Sequence, residues 1–217
     1  MVAVVALLAA LLGADRAAML YAENRIATQM MNRGFPTKPH VSIAGFPFLT
    51  QVAIRLVNKV TVSAAGGKLG PMEVKRLDVT AYGVRLNAGY HASAASQLSG
   101  TALIGFASLA GVAGLPGLAV SADGPDRVKI TADLGLVSGS ATARVTRARH
   151  GGIRIAVIAA GGIPVGVLGP LGDITLPPPA LPLGMTIQDV SVTDQGVLLH
   201  LAGQGVSFSN RRGSQER

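Results

Sequence analysis

The chain has no cysteine and no tryptophan in its 217 residues, and only 5 Phe and 3 Tyr. Without a thiol there is no disulfide framework, no cysteine nucleophile and no cysteine-ligated zinc. Charge is scarce as well. Asp, Glu, Lys and Arg together make up 14% of the residues, against about a quarter in an average globular protein. What charge there is leans one way, to a net +8 and a pI near 10.6, which favours anionic partners. Nucleic acid is the poorer candidate, because its binders carry denser Lys/Arg clusters and stacking aromatics. Phospholipid headgroups and an anionic membrane surface fit the low total charge and the mean hydropathy of +0.45.

What the chain has in quantity is Ala, Val, Leu and Ile, with 28 Gly and 12 Pro spread along its length. That composition suits β-branched strands, a few Ala-rich helices and many turns or bent strands. The length suits one domain. The start is apolar without interruption from Met1 to Ala14, until Asp15 and Arg16. This run is shorter than the roughly 20 residues that span a bilayer, but it has the size of a secretory signal's apolar region. No basic residues precede it and no A-x-A site follows it. Two readings stand, an export signal or membrane anchor and a buried N-terminal helix. The lack of any amphipathic break favours the first.

From Asp15 to Arg33 the spacing predicts a helix, with Met19, Ala22, Ile26 and Met30 on one stripe. Gly34 and Pro36 end it. Period-two or β-branched runs then predict strands at 38–44, 51–57, 59–64 and 73–86, with a turn at Gly66–Pro71. Leu98, Ala102, Phe106 and Leu109 fall at helical spacing, so a helix is expected over Ser93–Ala110. Strands return at 117–122, 127–134, 138–147 and 152–159. A Gly/Pro-rich stretch and the segment LPPPALPLG follow, the latter extended. The runs 186–193 and 196–202 face each other across Asp194-Gln195 as a hairpin. Residues 209–217 form a polar tail.

Chemical signatures are few. His40, His91, His150 and His200 are widely spaced, and none has a second ligand at metal-binding distance in sequence. There is no G-x-S-x-G elbow and no P-loop, and GVAGLPG is no dinucleotide fingerprint. The acids of DGPD, Asp123 and Asp126, read as a turn. The densest basic run, ARVTRARHGGIR, holds Arg144, Arg147, Arg149, His150 and Arg154. It reads either as a solvated strand end or as a contact for phosphate headgroups.

One stretch draws attention, GFPFLTQ at Gly45–Gln51, which spends two of the five Phe around one proline. Together with ENRIA at Glu23–Ala27 and the C-terminal DVSVTDQGVLLHLAGQGV, it resembles the actinobacterial LmeA-like phospholipid-binding family. The likeness covers nearly all of the chain after residue 14. It implies an α+β fold in which a strongly curved antiparallel sheet cradles a long helix, similar to the tubular lipid-binding proteins of the TULIP type. It also implies a protein of the periplasmic side of the envelope that binds, and transfers, phospholipid without catalysis or cofactor. The domain expected is then 15–208, with 1–14 as signal or anchor. Ile26, Met30, Phe46, Phe48, Leu103 and Phe106 are the candidate apolar contacts, and Arg144, Arg147 and Arg149 the candidate basic rim of an apolar tunnel. For Phe46 and Phe48 the alternative is a plug at the end of the core. Against this main expectation stand an envelope enzyme or accessory factor in mannosylated glycolipid synthesis, and a membrane-surface adaptor.

Overall fold

A computed structural model describes residues 1–32, 35–69, 72–112, 118–133, 138–149, 151–161, 172–176, 181 and 184–208. The chain is α+β, with an N-terminal helix and two antiparallel sheets. Helix α1 runs from Val2 to Met31 without a break. Ala, Leu and Met carry the helix through the apolar start and past the charged Asp15 and Arg16. The apolar run and the expected helix are therefore one element. Only its second half packs: the covered positions are 15, 18, 19, 22, 23, 26, 27 and 30. This is a stripe at steps of 3 and 4, and it includes the expected Met19, Ala22, Ile26 and Met30. Residues 1–14 are exposed throughout.

Strand β1 (His40–Ala44) precedes a short helix, α2 (Phe48–Ala53). Then come β2 (Leu56–Ala65), the two-residue β3 (Lys68–Leu69), β4 (Met72–Leu86) and β5 (Ala92–Ile104). Helix α3 (Phe106–Val112) leads to β6 (Ala119–Ala122), β7 (Arg127–Asp133), β8 (Ser138–Arg147) and β9 (Ile153–Ala160). Last are β10 (Asp173–Leu176), β11 (Thr186–Thr193) and β12 (Gly196–Ser207). One sheet has seven strands in the order β1-β2-β4-β5-β12-β11, with β3 paired to β4, and the other has five in the order β10-β9-β8-β7-β6.

Two expectations fail here. The stretch 51–57 is not one strand: Gln51–Ala53 belongs to α2, and β2 starts at Leu56. Residues 93–110 are not one helix, because most of them form β5 and only the end enters α3. From Leu98 the buried positions of β5 are Leu98, Ala102 and Ile104, all on one face of a strand. Helical spacing of small apolar residues lost to the pairing offered by β4 and β12. The expected hairpin at Asp194-Gln195 forms, with Thr193 opposite Gly196. GGIPVGVLGPLG, the proline-rich segment and the polar tail lie wholly or mostly outside the described residues.

The chain divides into two compact units. The first holds residues 1–64, 79–99 and 203–217. Its core is Ala27 of α1, Val41 and Ile43 of β1, Phe48 of α2, Val57, Val84, Leu98 and Val206. The second holds residues 65–78 and 100–202. There β11 packs against β8, and Ile187, Val190, Val192, Val197 and Leu199 are buried along with Val128, Val145, Ile153 and Ile155. The DGPD turn holds this unit together through its backbone. Asp126 O accepts from Val145 N at 2.8 Å, and Pro125 O accepts from Val192 N at 2.7 Å.

At the start of β12, Gly196 lies against the backbone of β5. A Cβ there would sit 2.0 Å from Ile104 O, and φ is +148°. No side chain fits, and β5 cannot move without leaving its sheet. Gly196→Ala is expected to destabilise the protein by about 3 kcal/mol or more. Gly139→Ala, with nothing within 4 Å, is expected to stay within about 0.5 kcal/mol. Denaturant melts of both variants check the contrast. On the solvent face of the five-stranded sheet, Arg154 Nε donates to both oxygens of Asp173, at 2.8 and 3.1 Å. That hydrogen bonding, helped by the charge, holds the Asp173 carboxyl below its ordinary 3.8. Because the folded-state value is the lower one, the pair's stabilisation is full above the unfolded value and is lost as pH falls through the folded one. A carboxyl NMR titration should place Asp173 below the ordinary range, and Arg154→Gln should return it there.

Candidate functional site

The GFPFLTQ stretch can now be read residue by residue. Gly45 has φ +115°, and a Cβ on it would lie 2.5 Å from Gln51 Nε2. Glycine is needed both for the backbone and for the amide packed over it. The Phe46–Pro47 peptide is cis, and Pro47 is the N-cap of α2. Phe46 is 56% exposed, and Phe48 is 6% exposed. The two rings thus have opposite fates, one on the surface and one in the core. Gln51 is buried, and its Oε1 accepts from Asn58 N at 2.9 Å, which fixes the entry into β2.

Helix α2 has no cap from its own side chains. The cap comes from α1. Asp15, 3% exposed, accepts Leu49 N on Oδ1 at 2.8 Å. Further along α1, Glu23 Oε1 accepts from Ile43 N of β1 at 2.7 Å. In the sequence Asp15 only marks the start of the expected helix, and its reach across the chain to Leu49 has no local signal. Beside it, the Arg16 guanidinium lies over the Phe46 ring, 5.3 Å from the centroid. Ile26 and Met30 are half-buried on the packed stripe of α1.

The second unit carries a cleft of about 350 Å³, lined by Arg76 and Asp78 of β4, Thr101 and Leu103 of β5, Thr193, Asp194 and Gln195 of the β11–β12 turn, and Leu198 of β12. The turn is fixed from below. Lys75 Nζ donates to Gln195 O at 3.0 Å, and Thr193 Oγ1 donates to Gly196 O at 2.9 Å. One guanidinium, two carboxylates, two threonine hydroxyls and an amide converge beside two leucines. That mixture suits a hydroxyl-rich ligand with an apolar part. Of the expected residues only Leu103 lines this cleft. Phe106 is half-buried at the start of α3. Alternation in β4 marks Arg76 and Asp78 as sharing a face, but nothing in the sequence brings Asp194 to them.

The expected basic rim is also in the second unit. Arg144 Nε donates to Asp126 Oδ2 at 3.0 Å. Arg147 and Arg149 are exposed, at the end of β8 and in the turn after it. His150 lies outside the described residues. Among the described residues no group of three or more His, Asp or Glu side chains is placed to hold a metal ion.

Because Asp15 and Glu23 satisfy part-buried backbone donors, their loss should be read in stability. Asp15→Ala is expected to lower stability by about 1–3 kcal/mol. Asp15→Asn, which keeps an acceptor, should lose less than half of that. Thermal melts of the two variants in parallel decide whether the carboxylate is a cap.

The model of the LmeA-like phospholipid-binding family matches residues 13–202. No curated protein and no solved structure matches the chain. The family match takes in α1 from its charged midpoint, the GFPFLTQ turn, the cleft and the β11–β12 hairpin. The chain belongs to the LmeA-like phospholipid-binding family.

Proposed function

We propose that the protein binds phospholipid without catalysis and hands it on, tethered to a membrane by residues 1–14 and facing the periplasmic side of a cell envelope. The observation that carries this reading is the family match over residues 13–202. The α1 helix supports the tether. It is long and apolar enough to cross a bilayer, and only 6% of its most apolar window is buried. The α+β composition fits the curved, tubular lipid-binding architecture expected from the family. Ile26 and Met30 in the first unit, and Leu103 and Phe106 in the second, are the apolar residues offered for acyl contact. Each buried CH₂ contributes about 0.8 kcal/mol, so a partly covered acyl chain already binds usefully.

We read the cleft as a seat for a headgroup that carries hydroxyls, of the phosphatidylinositol type, with one cation for its phosphate. Arg76 would meet the phosphate, while Asp78 and Asp194 would accept from hydroxyls. A headgroup with several phosphates is disfavoured, since the lining carries two carboxylates against one guanidinium. Arg147 and Arg149 supply attraction to an anionic surface.

The test is native mass spectrometry with lipid extraction on the full chain, exchanged into lipid-free detergent after purification from bacterial membranes. A stoichiometric phospholipid is expected. Arg76→Gln with Asp78→Asn should change which headgroup is retained, with the melting temperature unchanged. A chain that retains no lipid and takes none up from anionic vesicles overturns the proposal.

A further inference from the structure

One face of helix α2 and its flanks lies exposed. Phe46, Leu49, Thr50, Ala53 and Ile54 are all exposed, at steps of 3, 1, 3 and 1 residues. Phe46, Leu49 and Ile54 are 56%, 45% and 65% exposed. The opposite side of α2 is buried through Phe48 and Gln51. The free face carries no charge of its own but has an arginine at each end. Arg16 stacks on Phe46. Arg55, held in the left-handed region at φ +57°, lies 5.7 Å from the Tyr90 ring.

We infer that this face of α2 is a second membrane contact, seated in the headgroup–acyl boundary of the same bilayer that takes the start of α1. The inference rests on the reading of residues 1–14 as a bilayer segment. Three observations place it. The exposed apolar run ends at Ala14, and the next residue, Asp15, holds Leu49 through a 2.8 Å hydrogen bond. Leu49 therefore lies within one helical turn of the point where α1 leaves the apolar phase. Arg16, the first cation after the run, covers the Phe46 ring and ties the turn to the same level. The composition of the face is that of an interfacial segment, apolar with arginines at its ends, and such segments sit about 5–10 Å into the boundary. Anionic headgroups are the groups that Arg16 and Arg55 would meet. Two contacts on one rigid junction would fix the tilt of the first unit on the membrane, which a single helical tether does not.

The absence of native cysteine allows single labels. Thr50→Cys, Leu8→Cys and Gln29→Cys each carry an environment-sensitive fluorophore on the full chain. Each is reconstituted in phosphatidylcholine–phosphatidylglycerol vesicles bearing a nitroxide at a shallow or a deep acyl position. Leu8 should be quenched best by the deep nitroxide. Thr50 should be quenched several-fold better by the shallow one. Gln29, about 30 Å from Leu8 along α1 at 1.5 Å per residue, should be quenched by neither. Adding Leu49→Asp and Ile54→Asp to the Thr50 variant should abolish its quenching and leave that of Leu8 intact. Quenching at Leu8 with none at Thr50 overturns the inference, as does equal quenching at Thr50 and Gln29 or indifference to the two Asp substitutions. An unquenched Leu8 overturns it by removing the bilayer segment it rests on. An unquenched Leu8 removes the tether from both proposals, whereas loss of quenching at Thr50 alone overturns only this inference, and neither result alters whether the chain retains a phospholipid.

Discussion

Two carboxylates on one helix supply acceptors to backbone N–H groups of β1 and α2 in the first unit. Strand β1 is the edge of the seven-stranded sheet, so its outward N–H groups have no strand to meet. Helix α2 is too short to hold itself together in water. Asp15 and Glu23 of α1 supply the acceptors, Oδ1 to Leu49 N and Oε1 to Ile43 N. A buried N–H without a partner costs about 1–3 kcal/mol, a large fraction of the stability of a small domain. The helix that begins as an exposed apolar rod thereby becomes part of the fold at Asp15. The placement of Phe46, Phe48 and Gln51 follows from that one junction.

In the second unit a close backbone approach and one lysine shape the site. Gly196 lies where its missing Cβ would touch Ile104 O, and Lys75 reaches across to Gln195 O. These fix the β11–β12 turn over β4 and β5, and the turn in turn presents Asp194 and Gln195 to the cleft. A glycine forced by backbone contact and a lysine used as a strut are thus what shape a polar site in a chain with little polar material to spare.

Much of the succession of strands along the chain was legible because period-two patterns survive burial on one face. The hairpin at Asp194-Gln195, the strand at 138–147 and the packed stripe of α1 all follow from spacing alone. The failures have a common cause. The Ala- and Ser-rich stretch from Ser93 carries helical spacing only because small residues fit either period, and neighbouring strands decided the outcome. The stretch after Phe48 reads as a strand because its cap, Asp15, lies 34 residues away. The candidate residues fared likewise. Phe46 and Phe48 look equivalent in sequence, yet Pro47 caps a helix whose first residue turns inward and leaves the other ring outside. The cleft was mostly illegible, since its residues come from three separate segments and only Leu103 stood out as apolar.

The basic character of the chain also means less than its charge suggests. ARVTRARHGGIR looks like a polyanion-binding run. In the fold, however, Arg144 is held by Asp126 and Arg154 by Asp173, each across neighbouring segments of one sheet. Arg16 and Arg55 lie over aromatic rings instead. Of the basic run, Arg147 and Arg149 stay exposed, so its reach for an anion rests on fewer groups than the sequence suggests. Arg16 and Arg55 lie beside the exposed Phe46 and Tyr90 rings, where a guanidinium and an apolar surface share one patch. A chain poor in charge can thus be strongly basic overall while part of that charge is held in ion pairs and ring stacks.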